Sequence, residues 1–183
     1  LCTLPSSTQI ISLNGKSFKE ICSEILKLGE QLDAVKEAKQ HVDKAIARRN
    51  ELDSLPKYSR KILSLEWIDP YFSAGHWVPE QIEIAGFRSA IGQRGEHSRV
   101  ISIEEIIESD PDDIAVICCG YKLHENKAFA ERLKNNKEIN FLKPFKENKI
   151  YSFDSDAYFS RPTTRLIEGA QQLRNAVLSK KID

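Results

Sequence analysis

The apolar positions of the chain change period along its length, and each period predicts a kind of element. From Ser17 onward, Phe18, Ile21, Ile25 and Leu28 recur at three- and four-residue spacing, one face of an α-helix. Ser17 stands at the N-cap position with Glu20 three residues on, as in a capping box, and Gly29 lies near the end. Ahead of this helix runs a short apolar segment, Gln9–Leu13, closed by Asn14-Gly15. Residues 33–53 contain neither Gly nor Pro, and Val35, Ala38, Val42, Ala45, Ile46 and Leu52 form one narrow apolar stripe on an otherwise charged surface. That pattern predicts a single continuous helix packed along one side, about 30 Å long at 1.5 Å per residue, and Pro56 ends it.

From residue 60 strand-like and helical stretches alternate. Lys61–Ile68 reads as a strand. Gly75–Phe87 reads as a helix with Pro79 near its first turn, and Ser102–Ser109 as a short helix with Ser102 as cap and Glu105 three residues on. Asp113–Cys119 is almost continuously apolar, as in a strand buried on both faces. A helix over Glu125–Asn136, a strand over Lys149–Phe153 and a closing helix over Pro162–Lys180 complete the series. The alternation predicts an α/β fold, a parallel sheet with helices on both faces.

In such sheets ligands sit beyond the carboxyl ends of the strands. Three segments occupy those places: the one after Ile68 with Asp69, Tyr71, Phe72, His76 and Trp77; the one after Cys119 with Gly120 and Tyr121; and the one after Phe153 with Tyr158, Phe159 and Arg161. Aromatic rings interleaved with polar groups suit a large, flat, partly apolar ligand. Each polar candidate has a plainer alternative. Asp69 and Glu80 could pair for acid–base work, but a strand-end turn and a helix-surface charge are the preferred reading. His76 could ligate a metal, but a hydrogen-bonded cleft residue is preferred. Trp67 is expected in the core, at least in part. Arg161 could hold an anionic group or pair with Asp154 or Asp156.

Charge and cysteine usage narrow the function classes. Lys and Arg number 27, as do Asp and Glu, so the chain lacks the basic excess of a general nucleic-acid binder. Cys2, Cys22, Cys118 and Cys119 show no zinc-ligand spacing, and buried free thiols are expected. Gly92-Gln-Arg-Gly95 lacks the lysine and hydroxyl of a phosphate-binding loop, and no nucleophile-elbow motif occurs. The chain opens on Leu1 and has no Met, so a processed or truncated polypeptide is expected. No secretion signal is legible in it.

Three runs carry a resemblance: Leu65–Glu80, the stretch Ser102–Ile107 with Asp110-Pro-Asp112 and the strand into Cys119-Gly-Tyr121, and Ala157–Leu166. Together with Leu1-Cys2, Ile10–Leu13 and Leu28-Gly29, they resemble the cobalamin-binding-like branch of ABC-transporter substrate-binding proteins, the helical-backbone metal receptors. Cys118 and Thr163-Thr164 depart from that family's usual proline and Gly-Pro. The resemblance implies two α/β lobes joined by a rigid helix. Residues 1–32 would then be the C-terminal remnant of a first lobe, its last strand and helix. Residues 33–55 would be the connecting helix, and 56–183 the second lobe.

The implied function is non-enzymatic. A corrinoid such as cobalamin, or a similar metal chelate, would be captured between the lobes and delivered to an ABC transporter permease, with no intrinsic cofactor or protein-bound metal. The implied ligand-binding residues are Asp69, Tyr71, Phe72, His76, Trp77, Gly120, Tyr121, Tyr158, Phe159 and Arg161. Trp77, Tyr121 and Tyr158 are expected to form one aromatic platform. Glu104 is the implied permease-docking glutamate. A periplasmic or cell-surface lipoprotein acting as a monomer is expected; the alternative is a cytoplasmic corrinoid-, haem- or siderophore-handling protein on the same fold without a transporter.

Overall fold

The structure, a computed structural model, describes Pro5 and residues 8–179. Eight helices stand among these residues: α1 (Phe18–Gln31), α2 (Val35–Asp53), α3 (Val78–Ile84), α4 (Ile103–Ser109), α5 (Leu123–Lys134), α6 (Lys143–Lys146), α7 (Ser155–Tyr158) and α8 (Leu166–Ser179). Six strands, β1 (Lys61–Ile68), β2 (Tyr71–Ser73), β3 (Arg88–Ser89), β4 (Arg99–Val100), β5 (Asp113–Val116) and β6 (Ile150–Ser152), form one sheet. Its main path runs β4-β2-β1-β5-β6, with β3 paired beside β1.

The expected parallel core is present: β1 pairs with β5, β5 with β6, and β3 with β1, all in parallel. An antiparallel margin extends it, in which β2 folds back on β1 and β4 lies along β2. These margin strands, and β3, are two or three residues long, too short for any period to declare them.

Pleating sends neighbouring residues of each strand to opposite faces, and so divides the apolar content into two cores. Ile62, Ala115, Ile117, Tyr151 and Phe153 face a core shared with α1, α2, α3 and α8. Leu63, Leu65, Ile114, Val116, Cys118 and Ile150 face a second core with α4, α5 and α6. Helices therefore cover both faces of the sheet, and the unbroken apolar run after Asp113 is explained by burial on each side.

The helix over residues 33–53 is continuous as Val35–Asp53. Ala38, Val42, Ala45 and Leu52 bury the stripe, while Val35 and Ile46 at its margins are exposed. The α1 and α2 helices pack closely because Gly29 has no side chain: a Cβ there would lie 2.4 Å from the Cβ of Ala38. The hairpin they form is fastened to the sheet layer through Glu80. Its carboxylate accepts from the Phe18 backbone N–H at 2.7 Å, pairs with Arg49 at 3.1 Å, and has Arg94 at 3.7 Å. Glu80 is thus a buried anchor, not a helix-surface charge, because the free Phe18 N–H opening α1 and the Arg49 guanidinium of α2 converge on it.

The Gln9–Leu13 segment departs from expectation. It is not a strand; Ile10 is 77% exposed, and no strand among the described residues lies beside it to complete a ladder. At α1 the Ser17 hydroxyl caps the Glu20 N–H, but the Glu20 carboxylate reaches Lys16 N–H instead of closing the box. At α4 the box closes, with Ser102 and Glu105 each bonding the other's backbone N–H. Cys2 and Lys180 lie outside the described residues.

Candidate functional site

A cavity of about 410 Å³ opens at the carboxyl ends of β1 and β5. Trp67 and Glu66 come from the end of β1, Phe72 from β2, His76 from the loop before α3, and Cys119 from the loop after β5; Ser98 and Pro70 complete it. The residues alternate along the strands, so Phe72 faces this cavity while Tyr71, its neighbour, turns to the second core. Trp67 is 38% exposed, not a core residue; its indole N–H is satisfied locally by the Asp69 carbonyl at 2.9 Å. Its ring lies 5.6 Å from that of Tyr121, which meets Phe129 edge-on at 4.9 Å.

The wall beside His76 depends on a close approach of two loops. Gly75 is buried, and a Cβ there would come within 2.5 Å of the Glu96 carbonyl oxygen and the His97 carbonyl carbon, so only glycine lets residues 95–98 lie against it. The Gly75 N–H bonds the Ser98 hydroxyl at 3.1 Å, and that hydroxyl in turn donates to the Glu66 carboxylate. His76 N–H bonds the Glu96 carbonyl at 2.5 Å, and the His76 carbonyl accepts from Gly95 at 2.9 Å. His76 itself has a left-handed φ of 55°. Its ring meets His97 edge-on at 5.1 Å, and the Nε2 of His97 lies 3.4 Å from the Lys16 ammonium. Burial lowers the His76 pKa, against the opposing pull of Glu66.

The residues expected at the site distribute as follows. Phe72 and His76 line the cavity. Asp69 and Tyr71 line a separate recess of about 320 Å³ against the end of α5, where the Tyr71 hydroxyl accepts from Asn136 at 2.7 Å. Trp77 packs half-buried on the first core and donates its indole N–H to the Phe159 carbonyl at 2.9 Å. Phe159, expected at the site, is instead a core ring, 3% exposed and packed against Phe153, and its carbonyl accepts from Trp77. Tyr158 also packs on the first core, whereas Tyr121 packs on the second. Trp77, Tyr121 and Tyr158 therefore do not form a single platform, because the sheet stands between the cores they pack on.

Gly120 donates its N–H to the Ser160 hydroxyl at 2.8 Å, tying the loop after β5 to the one after β6. Arg161 pairs with Asp156 at 2.9 Å. Asp69 and Glu80 do not meet: one is exposed at the β1–β2 turn and the other is the buried anchor. Glu66, Trp67, Ser98 and Cys119 were not expected at the site. The alternation that turns Phe72 into the cavity could have pointed to Trp67; Ser98 arrives through a loop contact that no local pattern encodes. Cys119 is exposed, contrary to the expectation of uniformly buried thiols, while burial pushes the Cys118 thiol up to about 12. Adjacent backbone positions send the two sulfurs to opposite sides.

Among the described residues no group of three or more His, Cys, Asp or Glu side chains is placed to hold a metal ion. The arrangement offers an aromatic face, a carboxylate and an imidazole around an open apolar floor, which is a binding site's chemistry. Away from the cavity, Glu104 is exposed in the first turn of α4, and no Lys or Arg among the described residues pairs with it. Its pKa is lowered by its own backbone N–H and then by the Ser102 hydroxyl. Glu105 beside it is paired with Arg99 at 2.7 Å.

Comparison with known proteins agrees with this architecture. No curated protein sequence matches the chain. A possible iron-binding, periplasmic solute-binding protein from Staphylococcus epidermidis superposes with a TM-score of 0.78 at 21% identity, over 93% of this chain and 67% of its own. An ABC transporter substrate-binding protein from Listeria monocytogenes gives 0.80 at 18% identity, over 92% and 67%. The periplasmic vitamin B12 binding protein of Vibrio cholerae gives 0.71 at 16% identity, over 96% and 68%. The chain thus spans about two thirds of the length of these structures. The family model described as "Periplasmic binding protein" matches residues 4–157, most of the chain. By that match, and with a helix-flanked α/β sheet carrying its open cavity at the strand ends, the chain belongs to the periplasmic binding protein family.

Proposed function

We propose that this chain is the larger part of a carrier that captures a metal chelate, a corrinoid by preference, outside the cytoplasm and hands it to an ABC transporter permease. The observation that carries the reading is the cavity: an open floor formed by Trp67 and Phe72 at the strand ends, suited to one face of a broad planar ligand. The structural neighbours, one a vitamin B12 binding protein and one a possible iron-binding protein, support the same ligand class. In this reading residues 1–32 belong to a first lobe, 33–55 form the connecting spine, and 56–183 form the second lobe. The ligand would then be covered by the first lobe from the open side of the cavity. The family is one of solute binders, and the proposed role involves no catalysis.

The test is retention of colour. The protein is mixed with cyanocobalamin, haem or a ferric hydroxamate, passed through a desalting column, and scanned in the visible. The reading expects stoichiometric retention of at least one chelate, with cyanocobalamin the strongest. Retention of none overturns it.

A further inference from the structure

The cavity is lined by one carboxylate and by no Lys or Arg. Glu66 is half-buried there, and no ion pair among the described residues neutralises it. One of its carboxylate oxygens accepts from the Ser98 hydroxyl, which is itself held by Gly75 N–H at 3.1 Å, so the carboxylate is fixed in direction. The other oxygen has no hydrogen-bond partner among the described residues and remains free to accept. The strand does not need this side chain for its ladder, since the backbone carbonyl of Glu66 already accepts from Cys119 N–H at 3.1 Å. Lys16, whose charge reaches His76, is engaged with His97 at 3.4 Å.

We infer that Glu66 makes the cavity selective by charge, favouring chelates that are neutral or cationic and bring N–H donors, and disfavouring those that carry free carboxylates. This rests on the reading that the cavity holds a chelate. The physics is that of two like charges in a partly desolvated cleft. A ligand carboxylate about 7 Å from Glu66 is repelled enough to weaken binding roughly three- to fiftyfold, depending on how much water remains between them. A ligand amide or ammonium meets instead a fixed acceptor, and the bond is charge-assisted. Discrimination thus arises from a repulsive element as much as an attractive one.

The test compares the wild-type chain with Glu66→Gln, which keeps an acceptor for Ser98 while removing the charge. The probes are cyanocobalamin and its monocarboxylate, one side-chain amide replaced by an acid, titrated against each protein at pH 7.5. A second readout needs no chelate: quenching of the cavity tryptophan by caesium and by iodide, expressed as a ratio. The inference expects wild type to prefer the amide form by about tenfold and Glu66→Gln to reduce that preference below about threefold. It also expects the caesium-to-iodide ratio to fall about twofold in the variant. An amide-to-acid preference equal in the two proteins overturns the inference, whatever the quenching shows. If neither probe binds either protein, the carrier reading fails for corrinoids and quenching alone decides: a lowered ratio upholds charge selection at Glu66, and an unchanged ratio overturns it.

Discussion

Glu80 shows how far one residue's role can lie from its local pattern. By helical position in α3 it reads as a surface charge, yet its carboxylate ties the opening N–H of α1 and the guanidinium of Arg49 to the sheet layer. Arg49 also lies over the Phe18 ring at 5.0 Å, so charge and packing act on one spot. Glu80→Ala leaves that N–H unpaired. Because Arg49 keeps some access to water, the expected loss is about 1–3 kcal/mol in urea unfolding, below that of a fully buried pair. His76 provides the matching test by pH. Its folded pKa lies below the unfolded value, so the fold favours the neutral ring. The stabilisation is complete above the unfolded pKa of about 6.5 and is lost as pH falls through the folded value. His76→Asn tolerates the positive φ and should flatten that part of the stability-versus-pH curve; an unchanged slope between pH 7 and 5 would remove His76 as its source. Neither role was readable locally. Both arise from segments distant in sequence, the Phe18 N–H for Glu80 and, for His76, the burial that accompanies the approach of residues 95–98, which only the fold brings near.

At the scale of elements, much more was legible. The strand at Lys61–Ile68, the buried strand from Asp113, the spine helix and the capped start of α4 each have an internal signal, whether a period, a run or a cap. The short strands β2, β3 and β4 have none, since two or three residues define no period; β2 and β4 are paired through the hairpin at Asp69-Pro70 and the loop to Arg99, and β3 joins β1 in parallel. The Gln9–Leu13 run shows the reverse failure: strand-like composition without a neighbouring strand leaves coil. The α1–α2 hairpin owes its closeness to one missing side chain. Gly29→Val would press a branched group into Ala38, and the two helices must separate. The expected destabilisation is about 1–3 kcal/mol in denaturant midpoint analysis. A neutral result would mean that the hairpin does not pack as closely as the Gly29–Ala38 approach requires.

For the whole molecule, the proposed permease contact can be separated from ligand capture. The cavity stands at the carboxyl ends of β1 and β5, whereas Glu104 opens α4, exposed and unpaired among the described residues. Glu104→Arg should leave cyanocobalamin affinity within about twofold while lowering the stimulation of permease ATP hydrolysis and its steepness with salt. Equal stimulation by both proteins would exclude Glu104 from the contact. The division of the interior by the sheet has a consequence of another kind. Leu173 lies in one core and Leu133 in the other, with no shared apolar neighbours across the strands. Substitutions in the two should be thermodynamically independent, adding to within about 0.5 kcal/mol, whereas two within one core should couple. Each side can therefore accumulate and compensate its own changes, and the two faces of this single sheet are free to drift in sequence at separate rates.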